Sequence, residues 1–267
     1  MKLFTLFTLT LAVSATADTL RSAKITQAVK DVKVYSGSST GRAANLGETI
    51  GSSSSVTTGR RSRAELTFQD STITRLGQNS VFSFRNGTRD IELKQGSILL
   101  QVPKSAGGAT IRTATVTAAI TGTTSMCEYS PGQWVKLLTL EGTQKLYING
   151  RKDPVLVPAG QMIVMHPDGR VIPAPVTIDI AKLLRSSKLT GGRGGFGPLP
   201  EGARIAIAQT VASQKDAKRR GDLLPTNHVI TGPGSRKAAS TRDIRQPRDR
   251  PRTPPREPDF PTEGQRL

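Results

Sequence analysis

The sequence predicts an all-β fold, and three observations carry the prediction. Short runs of alternating or β-branched residues recur between turn signals about ten residues apart. The dipeptides Asn86-Gly87, Asn149-Gly150 and Asp168-Gly169 supply turn chemistry that tolerates positive φ. Long helix-period patterns are missing from residues 29–172, which argues against a parallel α/β sheet. Two packed sheets with jelly-roll or β-solenoid-like winding accommodate so many short strands.

The strands follow in chain order. Val29–Tyr35 alternates weakly. Arg63–Phe68 alternates clearly, with Ala64, Leu66 and Phe68 on one face and Glu65 on the polar phase of a solvated strand. Ile73–Leu76 follows the turn residues Asp70-Ser71, and Ser80–Phe84 repeats the alternation. Ser97–Val102 is more fully apolar, and Thr113–Thr121 is rich in Thr, Val and Ala. Cys127 and Tyr129 share a strand face, with Glu128 on the opposite, polar phase. Trp134–Leu140 and Thr143–Ile148 form a pair flanking Glu141-Gly142. Gln161–Met165 and Arg170–Ile172 flank Pro167-Asp168-Gly169.

Composition changes after Ile172. Thr177–Leu189 and Glu201–Arg220 read as short helices, separated by a flexible Gly191–Gly195 linker. Beyond Gly221 the chain is rich in Pro and Arg and cannot bury apolar surface, so a disordered tail with polyproline II character is expected. The resulting organisation is a leader at 1–17, a lead-in at 18–28, a β domain at 29–172, a partly helical extension at 173–220 and a basic tail at 221–267.

The leader reads as a secretory signal. Lys2 gives the positive start, an apolar run reaches Val13, and Ala15-Thr16-Ala17 offers small-x-small cleavage after Ala17. The expected product is exported to the periplasm or beyond, with no transmembrane segment in the mature chain. A single cysteine, Cys127, excludes an intrachain disulfide. The net charge is +18, and from Ala181 to Leu267 there are 18 Lys+Arg against 8 Asp+Glu. Such a balance favours anionic partners. Aromatics at 4% argue against stacking on nucleic-acid bases, so an anionic envelope polymer is the better match.

An ordered series of short motifs spans roughly residues 30–172. It runs from Thr58-Gly59 through Ser62-Arg63-Ala64-Glu65-Leu66-Thr67-Phe68 to Asp70-Ser71, Arg75-Leu76-Gly77 and Ser80. Leu93 with Gln95-Gly96-Ser97-Ile98 follows, then Ile120-Thr121-Gly122-Thr123, Glu141-Gly142 and Pro158-Ala159-Gly160-Gln161. This series resembles the FecR-type periplasmic domain family. It departs from the family at Ser71, where Gly is usual, and at Thr121, where Arg is usual. The resemblance implies an all-β fold and a periplasmic address. In FecR-type regulators a cytoplasmic anti-sigma segment and a membrane helix precede this domain. Here the signal stands directly ahead of it, so an anti-sigma role is not implied.

Candidate chemistry is sparse. His166 lies beside a turn and His228 in the tail, too few and too distant for a zinc site, which needs three or four clustered ligands. No Ser or Cys nucleophile is assigned to a triad with His and an orienting carboxylate. Glu65, Glu92, Glu128 and Glu141 offer no obvious glycosidase pair. Cys127 reads as a small buried apolar residue, with a reactive thiol or interchain disulfide as the alternative. Asn86-Gly87-Thr88 fits a glycosylation sequon within a hairpin turn. No catalytic, cofactor-binding or metal residue is assigned, and no cofactor. The expected function is a non-catalytic exported module that binds or scaffolds protein or an envelope polymer, with loops at Pro131-Gly132 and Asn86-Gly87 as contact candidates. The alternatives are a component of a transmembrane signalling or sigma-regulatory system acting from the periplasmic side, and an envelope enzyme.

Overall fold

A computed structural model describes residues 19–37, 40–226, 228–230 and 238–240. The expected secretory leader at 1–17 and most of the expected basic tail lie outside the described residues.

The chain builds two sheets by crossing repeatedly between them. Strand β1 (Ser22–Val29) lies in the first sheet, and β2 (Val32–Ser36) and β3 (Arg42–Ala43) in the second. β4 (Thr49–Gly51) returns to the first, and β5 (Ser54–Thr58) to the second. β6 (Arg63–Phe68) and β7 (Ile73–Leu76) form a hairpin in the first sheet, and β8 (Val81–Phe84) joins the second. β9 (Asp90–Gln101) serves both. Its first half pairs with β8 and its second half with β7. The same rhythm continues. β10 (Ala109–Arg112) and β11 (Val116–Ile120) extend the second sheet, and β12 (Thr124–Ser130) and β13 (Trp134–Glu141) the first. β14 (Thr143–Ile148) and β15 (Val155–Pro158) go to the second, and β16 (Gln161–Met165) and β17 (Val176–Thr177) to the first. Only the β9–β10 pairing is parallel among these strands. The arrangement is two packed sheets wound in solenoid fashion.

Gly96 makes the shared strand possible. It sits at φ +96 where β9 passes between sheets, and a Cβ there would collide with Ser80 Cα. Three local readings need correction. Val29–Tyr35 is not one strand, because the chain turns at Lys30-Asp31 and β1 begins at Ser22. Trp134–Leu140 and Thr143–Ile148 are not hydrogen-bonded to each other, since Glu141-Gly142 is a corner leading from one sheet to the other. Arg170–Ile172 adopts no strand, and Gly169 closes its turn by donating to His166 O at 2.9 Å, without positive φ.

Alternation drives the main core. Ile25, Val34, Val56, Leu66, Phe82, Leu93, Ile98, Leu100, Cys127 and Leu137 point between the sheets and are buried. A second core lies on the outer face of the first sheet. There Leu99, Leu138, Leu140, Met162 and Val164 meet Ile178, Ile180, Leu183, Leu189, Phe196, Leu199 and Ile207 from the segment that follows. Strands apolar on both faces, such as Ser97–Val102, follow from this double cover. The cover comprises α1 (Ile180–Ser186), α2 (Glu201–Ser213) and α3 (Lys215–Arg220). Asp179 caps α1 by accepting from Lys182 N at 2.8 Å.

Within the Gly191–Gly195 run, Gly192 and Gly195 are packed against backbone, although Arg193 and Gly194 are exposed. A Cβ on Gly192 would sit 2.6 Å from Ser187 O and 2.9 Å from Arg185 O. These two glycines are there because backbone folds tightly on backbone, which replaces the flexible-linker reading.

Candidate functional site

The most unusual chemistry sits where the helical cover meets the first sheet. β6 and β7 pair so that Glu65 stands directly opposite Arg75, both on the outer face. Alternation alone makes this a solvated pair. The cover changes that: Arg75 is 2% exposed and Glu65 9%. The solvated reading of Glu65 is therefore overturned by a segment more than a hundred residues away in sequence.

Arg75 spends its fixed fork of donors on that segment. Its Nε donates to Glu65 Oε2 at 2.7 Å, and Nη1 to Leu189 O at 2.9 Å. Nη2 donates to Gly197 O at 2.9 Å and Pro198 O at 3.3 Å. Phe196 lies against the same guanidinium, its ring centre 5.1 Å from Arg75 Cζ and 5.6 Å from Arg63 Cζ. Thr26 Oγ1 donates to the other Glu65 oxygen at 2.8 Å. The charge pair is thus satisfied on every side, the condition for tolerating it in a dry interior. One arginine reads three backbone carbonyls and one aromatic ring, which fixes the register of the 189–198 loop on the sheet. Arg75 falls within the resembling motif, but composition did not single it out. The available signal was an arginine on a short strand opposite a glutamate.

A basic pocket of about 430 Å³ opens beside this clamp, between the turn ahead of β6, the ends of β12 and β13, and the end of α1. Lys136 lines it and is 3% exposed, donating to Thr226 O at 3.1 Å and lying 3.5 Å from Glu128 Oε2. Glu128 also accepts from Trp134 Nε1 at 3.2 Å. It is half-buried at an ion pair, where the sequence suggested a simply solvated face.

The remaining candidates are dispersed. Cys127 faces the inter-sheet core, 2% exposed, and burial pushes its thiol up to about 12, with the Glu128 charge adding to the effect. The small-apolar reading is the one that fits this environment. Glu141 is buried and accepts from Thr124 Oγ1 at 2.7 Å, and desolvation raises its pKa above the usual carboxylate range. Glu92 is exposed and accepts from Ser83 Oγ at 3.2 Å. Glu65 and Glu128 share the outer face of the first sheet, each paired with its own cation, whereas Glu92 lies in the second sheet. His166 is exposed beside Asp168, at 3.7 Å, and the side chain of His228 lies outside the described residues. Asn86-Gly87 and Pro131-Gly132 are exposed turn tips, and Thr88 Oγ1 donates to Arg85 O at 3.2 Å. Among the described residues, no group of three His, Cys, Asp or Glu could hold a metal ion.

A two-sheet β unit with a clamped C-terminal cover defines the structural class. Residues 54–143 match the family model described as FecR protein. That stretch of the chain is a FecR-type domain, and it contains both Glu65 and Arg75. The solved structures similar in shape include two crystal structures of a candidate anti-sigma factor from Parabacteroides distasonis ATCC 8503. One has 11% identity and a TM-score of 0.42, covering 49% of this chain and 64% of that one. The other has 12% identity and a TM-score of 0.43, covering 60% and 75%. This chain therefore spans somewhat under two thirds of the first structure. No curated protein matches the sequence. No helix among the described residues is long and apolar enough to cross a membrane.

Proposed function

We propose that this protein is a non-catalytic component of an envelope signalling system, acting from the periplasmic side by binding another protein. The observation that carries the reading is the FecR-family match over residues 54–143, which include the outer-face pair that receives the cover. A β domain whose outer face already accepts a polypeptide through carbonyl recognition is suited to protein contact. The Lys2–Ala17 leader supports the address.

The test is a comparison of transcript profiles. Cells lacking the chain are compared with cells complemented by it, and intact cells are cross-linked in parallel. A signalling component predicts a defined set of transcripts that changes on deletion and returns on complementation, together with an envelope protein cross-linked to the β domain. Unchanged transcripts would remove this reading.

A second reading, an exported binding or scaffolding module on an anionic envelope polymer, is favoured by the 18 Lys+Arg against 8 Asp+Glu from Ala181 onward. Under that reading, removing residues 221–267 releases the protein from the envelope at low salt, where electrostatic attachment is strongest. Retention without the tail argues against it.

A further inference from the structure

We infer that the basic pocket beside the Arg75 clamp binds the phosphate group of an ester with an apolar body. The inference goes beyond the signalling reading and rests on the pocket's own residues.

Four cations line this pocket: Arg61, Arg63, Lys136 and Lys188. One carboxylate, Glu128, faces them. The Arg63 side chain makes no hydrogen bond or ion pair among the described residues, and its Nε is buried without an acceptor. An orphaned guanidinium donor carries the desolvation penalty of an unmade bond, so an acceptor supplied from outside relieves it. Lys136 is the second pointer. Its ammonium has three donors, yet it finds one carbonyl at 3.1 Å and one distant carboxylate oxygen at 3.5 Å. Arg61 and Lys188 are exposed at the rim and carry no ion pair among the described residues.

The surroundings decide the ligand's class. A single carboxylate leaves most of this charge uncompensated, whereas a phosphate offers two charges and several acceptor oxygens to an arginine fork and an ammonium. The negative end of α1 is already quenched, since Leu183 O accepts from Ser187 N and Leu184 O from the Thr190 hydroxyl at 3.3 Å. Met126, Leu183 and Leu189 form apolar wall, which suits the body of an ester better than free phosphate. Thr226, on the pocket's edge, belongs to the basic C-terminal region, whose charge adds long-range attraction.

The experiment is titration calorimetry on the full chain with dihexanoyl phosphatidate, a soluble phosphate ester, and with inorganic pyrophosphate. Both should bind, the ester more tightly. Arg63→Ala should weaken the ester about tenfold or more, the loss typical of one charged hydrogen bond. Arg63 also stacks on Phe196, so two variants away from that ring keep the outcome readable. Lys188→Ala should weaken binding about threefold, in line with an exposed charge, and Glu128→Gln should strengthen it. Sedimentation with phosphatidylcholine vesicles, with and without phosphatidic acid, identifies the source. Pelleting only with phosphatidic acid, abolished by Arg63→Ala, identifies a lipid headgroup. Binding confined to the soluble ester identifies a soluble ligand. The inference is overturned if neither soluble probe binds, or if binding is indifferent to all three substitutions and is lost only with residues 221–267.

Discussion

The inner and outer faces of the first sheet are both buried, but by different means. Between the sheets the contact is mainly apolar, with Ile98, Leu100, Cys127 and Leu137 as members, around one small buried hydrogen-bonded cluster of Ser125, Thr139 and Gln144. Outside, an apolar patch around Leu99, Leu138 and Val164 surrounds one fully buried ion pair. The inner contact follows from alternation and tolerates exchanges that conserve volume. The outer contact is keyed, because the Arg75 donors demand particular carbonyls at 189, 197 and 198. Non-directional burial holds the β unit together, and a directional polar key decides which polypeptide covers it.

The comparison can be broken most severely at the key. Glu65→Leu leaves the Arg75 charge without its carboxylate in a dry site, and the expected loss is about 3–5 kcal/mol in urea unfolding. The cover should become protease-sensitive between 178 and 226 before the β unit does. A smaller loss with an intact cover would mean that the carbonyls alone suffice.

Adjacent residues of β9 sharpen the contrast. Leu100 points between the sheets and Leu99 beneath the cover. Each truncation to Ala should destabilise by about 2–5 kcal/mol. The readout that separates them is Cys127, whose thiol, pushed up to about 12 by burial, is protonated and shielded in the folded protein. Leu100→Ala should accelerate its alkylation at pH 8, and Leu99→Ala should leave it protected. Equal alkylation rates would show that the two cores open together.

Gly192→Ala tests the tight backbone packing under the key. Its new Cβ must displace the Ser187 and Arg185 carbonyls, for an expected cost of about 1–3 kcal/mol confined to the cover. The smallest effect concerns Glu141. Burial raises its folded pKa, so the folded state holds the proton more tightly than the unfolded chain. Its stability contribution is present at low pH. It is lost as pH rises from the unfolded value near 4.3 through the raised folded value. Glu141→Gln, which keeps an acceptor for Thr124, should exceed the parent in stability at pH 7 and lose that advantage near pH 4. A pH-independent difference would place the effect in packing instead.

Much of this was legible from residues alone. Alternation in Arg63–Phe68 and Ser80–Phe84, with glycine-containing turns, specified strands and the inward face, because period-two patterning is a local property. The ordered motifs specified the FecR-type domain. Which strands pair was not legible. Trp134–Leu140 and Thr143–Ile148 read like a hairpin, yet the positive φ of Gly142 turns the chain into the other sheet. The basic pocket was equally hidden, since Arg63, Lys136 and Lys188 are far apart in sequence.

By itself, then, the sequence determined an all-β domain of FecR type and a basic C-terminal region, both of which rest on local composition and short-range order. Only the tertiary structure decided that Glu65 is buried, that Gly192 and Gly195 are packed, and that Arg75 clamps the cover. Burial depends on what arrives from elsewhere in the chain, and a strand carries no local record of the segment that will lie upon it.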